Sequence, residues 1–165
     1  MVRAVNVPRN VDVNTNLSIT AYPEAGIADP SAPTVAELGA GVEVVYEFPP
    51  DGWNESSSQE TIQDPRLSLA DVPEAPGKST TSLEPTYFYG DPELELDPLL
   101  VKDARIFIVV RDTVDVTDDF AAAQKVDVYS VIVGKPRKNR ATDGKQTKTT
   151  KLFVQQTWTD VAVVA

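Results

Sequence analysis

Apolar and polar residues alternate with a period of two in several short runs of the chain, the mark of strands with unlike faces. In "NLSITAYP", residues 16–23, Leu17, Ile19 and Ala21 fall on one side and Ser18 and Thr20 on the other, which predicts a half-buried strand. "GVEVVYEF", 41–48, sets Val42, Val44, Tyr46 and Phe48 against Glu43 and Glu47 and predicts a second strand. "RIFIVVR", 105–111, is apolar for five residues without a break, the pattern of a strand covered on both faces. "KVDVYSVIVGKPRKNR" and "KQTKTTKLFVQQTWTDVAVVA" predict two long strands joined by a turn at "TDGK", with Asp143-Gly144 as the hairpin signal. Their apolar residues (Val126, Val128, Ile132, Leu152, Val154, Trp158) gather away from that turn, so its end of the hairpin is expected to project beyond the core.

The stretch "PTVAELGAG", 33–41, breaks the alternation. Thr34 and Glu37 match the T-x-x-E capping box, in which the hydroxyl accepts from a first-turn amide and the carboxylate reaches back to the cap. Gly39 and Gly41 are suited to the left-handed residue that ends a helix. A short helix over 34–38 is therefore predicted as the connector between the first two strands, lying against the sheets. "VTDDFAAAQ" predicts another short helix with Thr117 as its cap, and "DPLLVKDA" at most one or two helical turns.

Residues 1–15 carry no strong period and contain Pro8 and several Asn, so they read as an extended arm. "EAGIADPSAP" reads as a loop, and "SLEPTYFYG" as a strand that Pro85 places at a sheet edge or at a point where no ladder donor is required. A weak strand is expected around 57–63 and a long loop around 70–80. Together these give roughly seven strands and two or three short helical pieces, a mainly β chain of the sandwich or barrel class. Residues 16–165 are expected to form a single domain.

The chain's 165 residues and 41% hydrophobic content suffice for a real core. The absence of cysteine excludes disulfides, zinc ribbons and thiol catalysis, and the absence of histidine removes the commonest general base and transition-metal ligand. No cofactor is expected. No window approaches the roughly 20 apolar residues that span a bilayer, and "MVRAVNVPRNVDV" has no long apolar core, so neither membrane insertion nor signal-peptide export is expected.

Charge is distributed unevenly. Between Lys135 and Lys151 seven basic residues (Lys135, Arg137, Lys138, Arg140, Lys145, Lys148, Lys151) stand against the single acid Asp143, a local charge of +6 in a chain of net −10. The rest of the chain therefore carries −16. A basic arm of this kind can neutralise phosphates. Its one neighbouring aromatic is Phe153, too little for stacking on single-stranded bases, so docking on an acidic surface or simple solvation is favoured.

Other candidate chemistry is weaker. "PGKSTT", 76–81, lacks the phosphate-loop glycine, because Val72 stands where that motif requires it. The acidic runs "GDPELELD" and "RDTVDVTDD" lack the spacing of a calcium loop and read as solvated charge. Asn54-Glu55-Ser56 matches a glycosylation acceptor by chance. Paired carboxylates for glycoside hydrolysis depend on spatial separation, which sequence does not supply. Trp53, Tyr87 and Tyr89 are the material for an alternative function, a ligand- or carbohydrate-binding module used in host attachment.

Taken together, "NVPRNVDVNTNLSI", "ADPSAPTVAELGAG", "QKVDVYSVIVGKPRK" and "TKLFVQ" resemble the major tail tube proteins of long-tailed, siphovirus-type bacteriophages, especially those of actinobacteria. The resemblance covers nearly the whole chain. It implies a β-sandwich with a flanking helix, related to the tubes of contractile tails and type VI secretion, that stacks as hexameric rings into a hollow conduit for double-stranded DNA. It implies no catalytic residue, and as partners other copies of the chain, a tape measure protein, and tail tip and terminator proteins. The expected place is the tail of the virion, after synthesis in the host cytoplasm. The residues expected at assembly contacts are Arg3, Arg9 and Lys78 with the seven basic residues of the arm.

Overall fold

The computed structural model describes residues 16–66, 71–140 and 144–165. Ten strands follow one another along them: β1 (Leu17–Pro23), β2 (Val42–Glu43), β3 (Glu55–Gln63), β4 (Glu74–Leu83), β5 (Thr86–Phe88), β6 (Arg105–Asp112), β7 (Lys125–Val133), β8 (Arg137–Asn139), β9 (Thr147–Thr149) and β10 (Leu152–Ala162). Two short helices, α1 (Val35–Gly39) and α2 (Leu96–Leu99), interrupt them. The fold is mainly β, with antiparallel sheets consistent with a β-sandwich. The expected arm of residues 1–15 lies outside the described residues.

The chain groups into two units. The first holds the described residues up to Val45 with Phe107–Tyr129 and Thr157–Ala165. Its strand order is β2-β1-β6-β7-β10. Tyr22, Ile27, Leu38, Val109, Val126, Val128 and Val163 form its buried cluster, with Trp158 and Phe120 packed at the margin. Helix α1 forms as its capping box dictates: Thr34 Oγ1 accepts from the Glu37 amide at 3.2 Å, and Glu37 Oε2 accepts from the Thr34 amide at 2.9 Å. It connects β1 to β2, which pair antiparallel, and it buries Leu38 in the cluster. Neither Gly39 nor Gly41 is left-handed; the helix ends on Ala40 in a right-handed conformation.

The second unit holds Tyr46–Ile106 and Ser130–Gln156. Its strands follow the order β6-β7-β10-β4-β3, beside a separate three-stranded sheet ordered β5-β9-β8. Leu83, Tyr87, Leu96, Leu100, Val133 and Leu152 are buried. Pro85 stands between β4 and β5, outside both ladders, where no donor is required of it, and β5 is an edge strand of its sheet. Helix α2 is a single turn.

Several expectations are corrected. Strand β1 is covered on both faces: Ser18 and Thr20 are as buried as Ile19, because their hydroxyls donate to the carboxylate of Glu43. The strand expected over 41–48 stops after Glu43, whose Oε1 accepts from the Val45 amide at 3.2 Å and turns the chain into a 3-10 segment over Val45–Glu47. That turn inverts the expected faces, leaving Tyr46 73% exposed and Glu47 7% exposed. Burial of Glu47 is compensated by the amides of Glu95 and Leu96, which donate to it at 2.8 and 3.0 Å.

The helix expected over 116–124 does not form. The Arg111 guanidinium takes the carbonyls of Asp115 and Asp118 at 3.0 and 2.8 Å and that of Asp119 at 3.2 Å, oxygens a helix would need for its own ladder. Thr117 is not a cap but a donor, giving both amide and hydroxyl to Asp115. The two long C-terminal strands are each broken, at Gly134–Pro136 and at Thr150–Lys151, so that their outer pieces become β8 and β9. Gly134 donates to the Lys151 carbonyl at 2.9 Å, and a β-carbon there would stand 2.6 Å from that oxygen. The hairpin itself is present, with Asn139 opposite Thr147 and Gly144 at a positive φ of 85°. Asp143 lies outside the described residues.

Candidate assembly surfaces

Two surfaces of the second unit stand out. The first is the sheet β5-β9-β8. Its ladder sets Lys138 directly opposite Lys148, and Lys148 opposite Tyr87. Lys148 Nζ lies 2.5 Å from Asp97 Oδ1 and 4.7 Å from the centre of the Tyr89 ring. Lys138 approaches the same ring to 5.4 Å, and Lys145 stands 5.3 Å from the Phe88 ring. The arm is thus less poor in aromatic contacts than its own sequence suggested, because β5 and the residue after it supply Phe88 and Tyr89. Tyr89, Lys138, Arg140 and Gln146 line a cavity of about 410 Å³.

These residues gather only part of the expected set. Lys135, Arg137 and Lys151 are exposed, the last 5.6 Å from the Phe153 ring. Arg3 and Arg9 lie outside the described residues, and Lys78 belongs to β4. The aromatic trio is not a shared platform. Tyr87 is fully buried, with its hydroxyl 3.3 Å from Thr150 Oγ1 and its phenol pushed up to about 12 by burial. Tyr89 is flanked by two ammonium groups, while Trp53 packs edge-on against Phe48 at 5.7 Å.

The second surface was read from the sequence only in part, as the weak strand expected around 57–63, which is β3. Residues 74–83, expected as loop over most of their length, form β4, which pairs along β3 in a two-stranded ribbon. Every residue of β3 is exposed, and β4 is exposed or half-exposed until Leu83. Hydroxyl and amide side chains meet across it: Ser56 with Ser82, Ser57 with Thr81, Ser58 with Thr80, Gln59 with Ser79. The register shifts between Gln59 and Thr61, placing Glu60 across from Gly77 and Lys78. A β-carbon on Gly77 would stand 2.9 Å from the Glu60 carbonyl, so the bulge needs glycine there. With no apolar stripe on either face, the short polar alternation of 57–63 signalled β3 only weakly and β4 went unsignalled; β-favouring Thr80 and Thr81 were the hint available there.

In the first unit the acidic run 111–119 is organised by Arg111, which is 2% exposed and lies 4.5 Å from the centre of the Phe120 ring. Hydrogen bonds from the hydroxyl and then the amide of Thr117 hold the Asp115 carboxyl below its usual range. Among the described residues no group of three acids is placed to hold a metal ion. None of the helices among them is long and apolar enough to cross a membrane.

A family model described as phage tail tube protein matches residues 5–165. The chain belongs to the phage tail tube proteins. No curated protein matches it. Membership makes this tail tube protein a structural component of the virion tail that acts by self-assembly. The ribbon and the basic sheet are the surfaces on which such assembly can be sought.

Proposed function

We propose that this chain forms hexameric rings that stack into the hollow tube of a siphovirus-type tail, in a phage of actinobacteria, and that double-stranded DNA passes down the tube without being specifically bound. The observation that carries the reading is the ribbon β3–β4, exposed on both faces although an isolated two-stranded ribbon is at best marginally stable in water. Neighbouring copies would cover it. The N-terminal arm and the 135–151 hairpin reach adjacent subunits or rings, a tape measure protein occupies the bore during assembly, and tip and terminator proteins close its ends.

The net charge of −10 supports a further part of this reading. DNA carries about one negative charge per 1.7 Å of duplex axis, so an acidic bore repels it and allows it to slide, whereas a basic bore would hold it at many points. A bore lined predominantly by Lys and Arg would refute this part.

Electron microscopy of the purified full chain at high concentration, with averaging of rings or filaments, tests the proposal. Stacked hollow rings of six subunits are expected. Persistently dispersed monomers, with the chain also absent from the tails of intact virions, would overturn it. Deleting residues 136–148 should abolish or shorten the tubes; normal tubes would remove the hairpin from the assembly.

A further inference from the structure

Between β6 and β7 none of the residues from Asp112 to Lys125 is fully buried, and the side chain that holds the segment down comes from the strand before it. Arg111 is 2% exposed, and none of the ion pairs among the described residues includes it. Its two terminal nitrogens donate to the carbonyls of Asp115, Asp118 and Asp119 and to Gln124 Oε1, which also accepts from the Ala121 amide at 3.1 Å. The other hydrogen bonds of this segment's middle among the described residues are internal, joining Thr117 and Asp118 to Asp115 and Gln124 to Ala121. Phe120, whose ring faces the guanidinium, packs at the margin of the buried cluster.

The closed arrangement carries local costs. Thr113 and Ala123, at its two ends, sit at φ 69° and 68°, in the left-handed region that a β-branched threonine in particular avoids. Arg111 Nε is buried and has no hydrogen-bond partner among the described residues. At Ala123 the chain is pinned again, because its amide donates to the Val163 carbonyl at 2.9 Å and the Val163 amide donates to the Gln124 carbonyl at 2.9 Å. Strain at two points, each beside a firm strand, is the pattern of a pair of hinges.

We propose that residues 113–123 form a strap that swings open as a unit while the rest of the first unit stays folded, hinged at Thr113 and Ala123 and latched by Arg111. Through Val116 and Phe120 the strap forms one wall of a cavity of about 460 Å³ that Leu38 and Gly41 border on the α1 side. Opening removes that wall and frees the guanidinium with the carbonyls it holds, so the subunit has two forms of the face beside α1. A segment with no fully buried residue has little to keep it shut beyond the latch and the Phe120 contact, which sets its opening well below the free energy of global unfolding. The device belongs to the single subunit and stands or falls separately from the tube reading.

Hydrogen exchange read by mass spectrometry tests the strap, on the full chain kept monomeric as checked by sedimentation velocity. The hydrogen-bonded amides of Thr117, Asp118 and Ala121 should exchange at least about tenfold faster than those of β6 and β7, and should respond weakly to low urea because opening exposes little surface. Arg111→Lys keeps the charge but not the planar fork that spans the carbonyls. It should speed exchange in the strap by about tenfold to hundredfold, while β6 and β7 change no more than global stability from urea unfolding dictates. Equal acceleration in strap and strands, or none in the strap, overturns the latch. In the native chain, strap exchange that matches β6 and β7 with the same urea dependence shows that no separate opening exists. Strap amides that exchange as fast as an unstructured peptide show that nothing is latched. Either result overturns the proposal without the variant, so it stays testable even if Arg111→Lys does not fold.

Discussion

Gly41 lies against the ring of Tyr22, so closely that a β-carbon on it would stand 2.2 Å from Tyr22 Cε1 and 2.6 Å from the Thr20 methyl. Tyr22 is 1% exposed and donates its hydroxyl to the Leu38 carbonyl at 2.8 Å, so a shift of the ring disturbs both its packing and that bond. Gly41→Ala is therefore expected to destabilise the chain by about 1–3 kcal/mol through overpacking. Chemical unfolding measures it, and an unchanged midpoint would show that the ring yields without cost.

The capping box sets a second expectation. Thr34→Ala removes the acceptor of the Glu37 amide and should cost about 1 kcal/mol, whereas Thr34→Ser, which keeps the hydroxyl, should cost much less. Thermal unfolding separates the two, and equal losses would assign the effect to the lost methyl group rather than to the cap.

Glu37 makes the cap sensitive to acid. Its carboxylate accepts from the amides of Thr34 and Ala28 and from the Thr34 hydroxyl, and these bonds, led by the Thr34 amide, hold it below its ordinary value of 4.5. A carboxyl with a lowered folded value stabilises the fold above its unfolded value and loses that contribution as pH falls through the folded one. The stability difference between the native chain and Glu37→Gln should thus be full at neutral pH, narrow below about pH 4.5, and level off once the folded carboxyl is protonated. Parallel denaturant titrations over that range measure it, and a constant difference would contradict the assignment.

Glu47→Ala leaves the amides of Glu95 and Leu96 without their acceptor at the start of α2 and should cost about 3 kcal/mol, since each buried unsatisfied donor costs on the order of 1–3 kcal/mol. Glu47→Gln, whose side chain keeps one oxygen, should lose about half as much. Urea midpoints decide, and a near-neutral alanine variant would mean that water replaces the carboxylate.

Legibility in the sequence followed the chemistry of each segment. The Thr34–Glu37 cap and the apolar run 106–110 were readable because their determinants are local, lying within a few residues of one another. Glu47 was misassigned because its partners lie 48 and 49 residues away and invert the alternation that periodicity relies on. The helix expected over 116–124 was lost for the same kind of reason: Arg111 competes for its carbonyls from the preceding strand. Of the candidate assembly surfaces, the basic cluster was visible as charge density, but its convergence on Tyr89 was not, since the two lysines meet the tyrosine only through sheet pairing. Of the ribbon, β3 was legible only as a weak strand around 57–63 and most of β4 was read as loop, because strands wet on both faces carry no apolar period.

That hydroxyl-rich ribbon also has a kinetic consequence. Exposed edge strands normally invite indiscriminate association, driven by apolar area shed from water. Here Ile62 is the large apolar side chain β3 exposes, amid serines, glutamines and glutamates, so a chance meeting of two ribbons releases little water from apolar surface. Disordered clumping through this edge is therefore disfavoured, and any specific contact the ribbon makes has to come from its hydroxyl, amide and carboxylate groups.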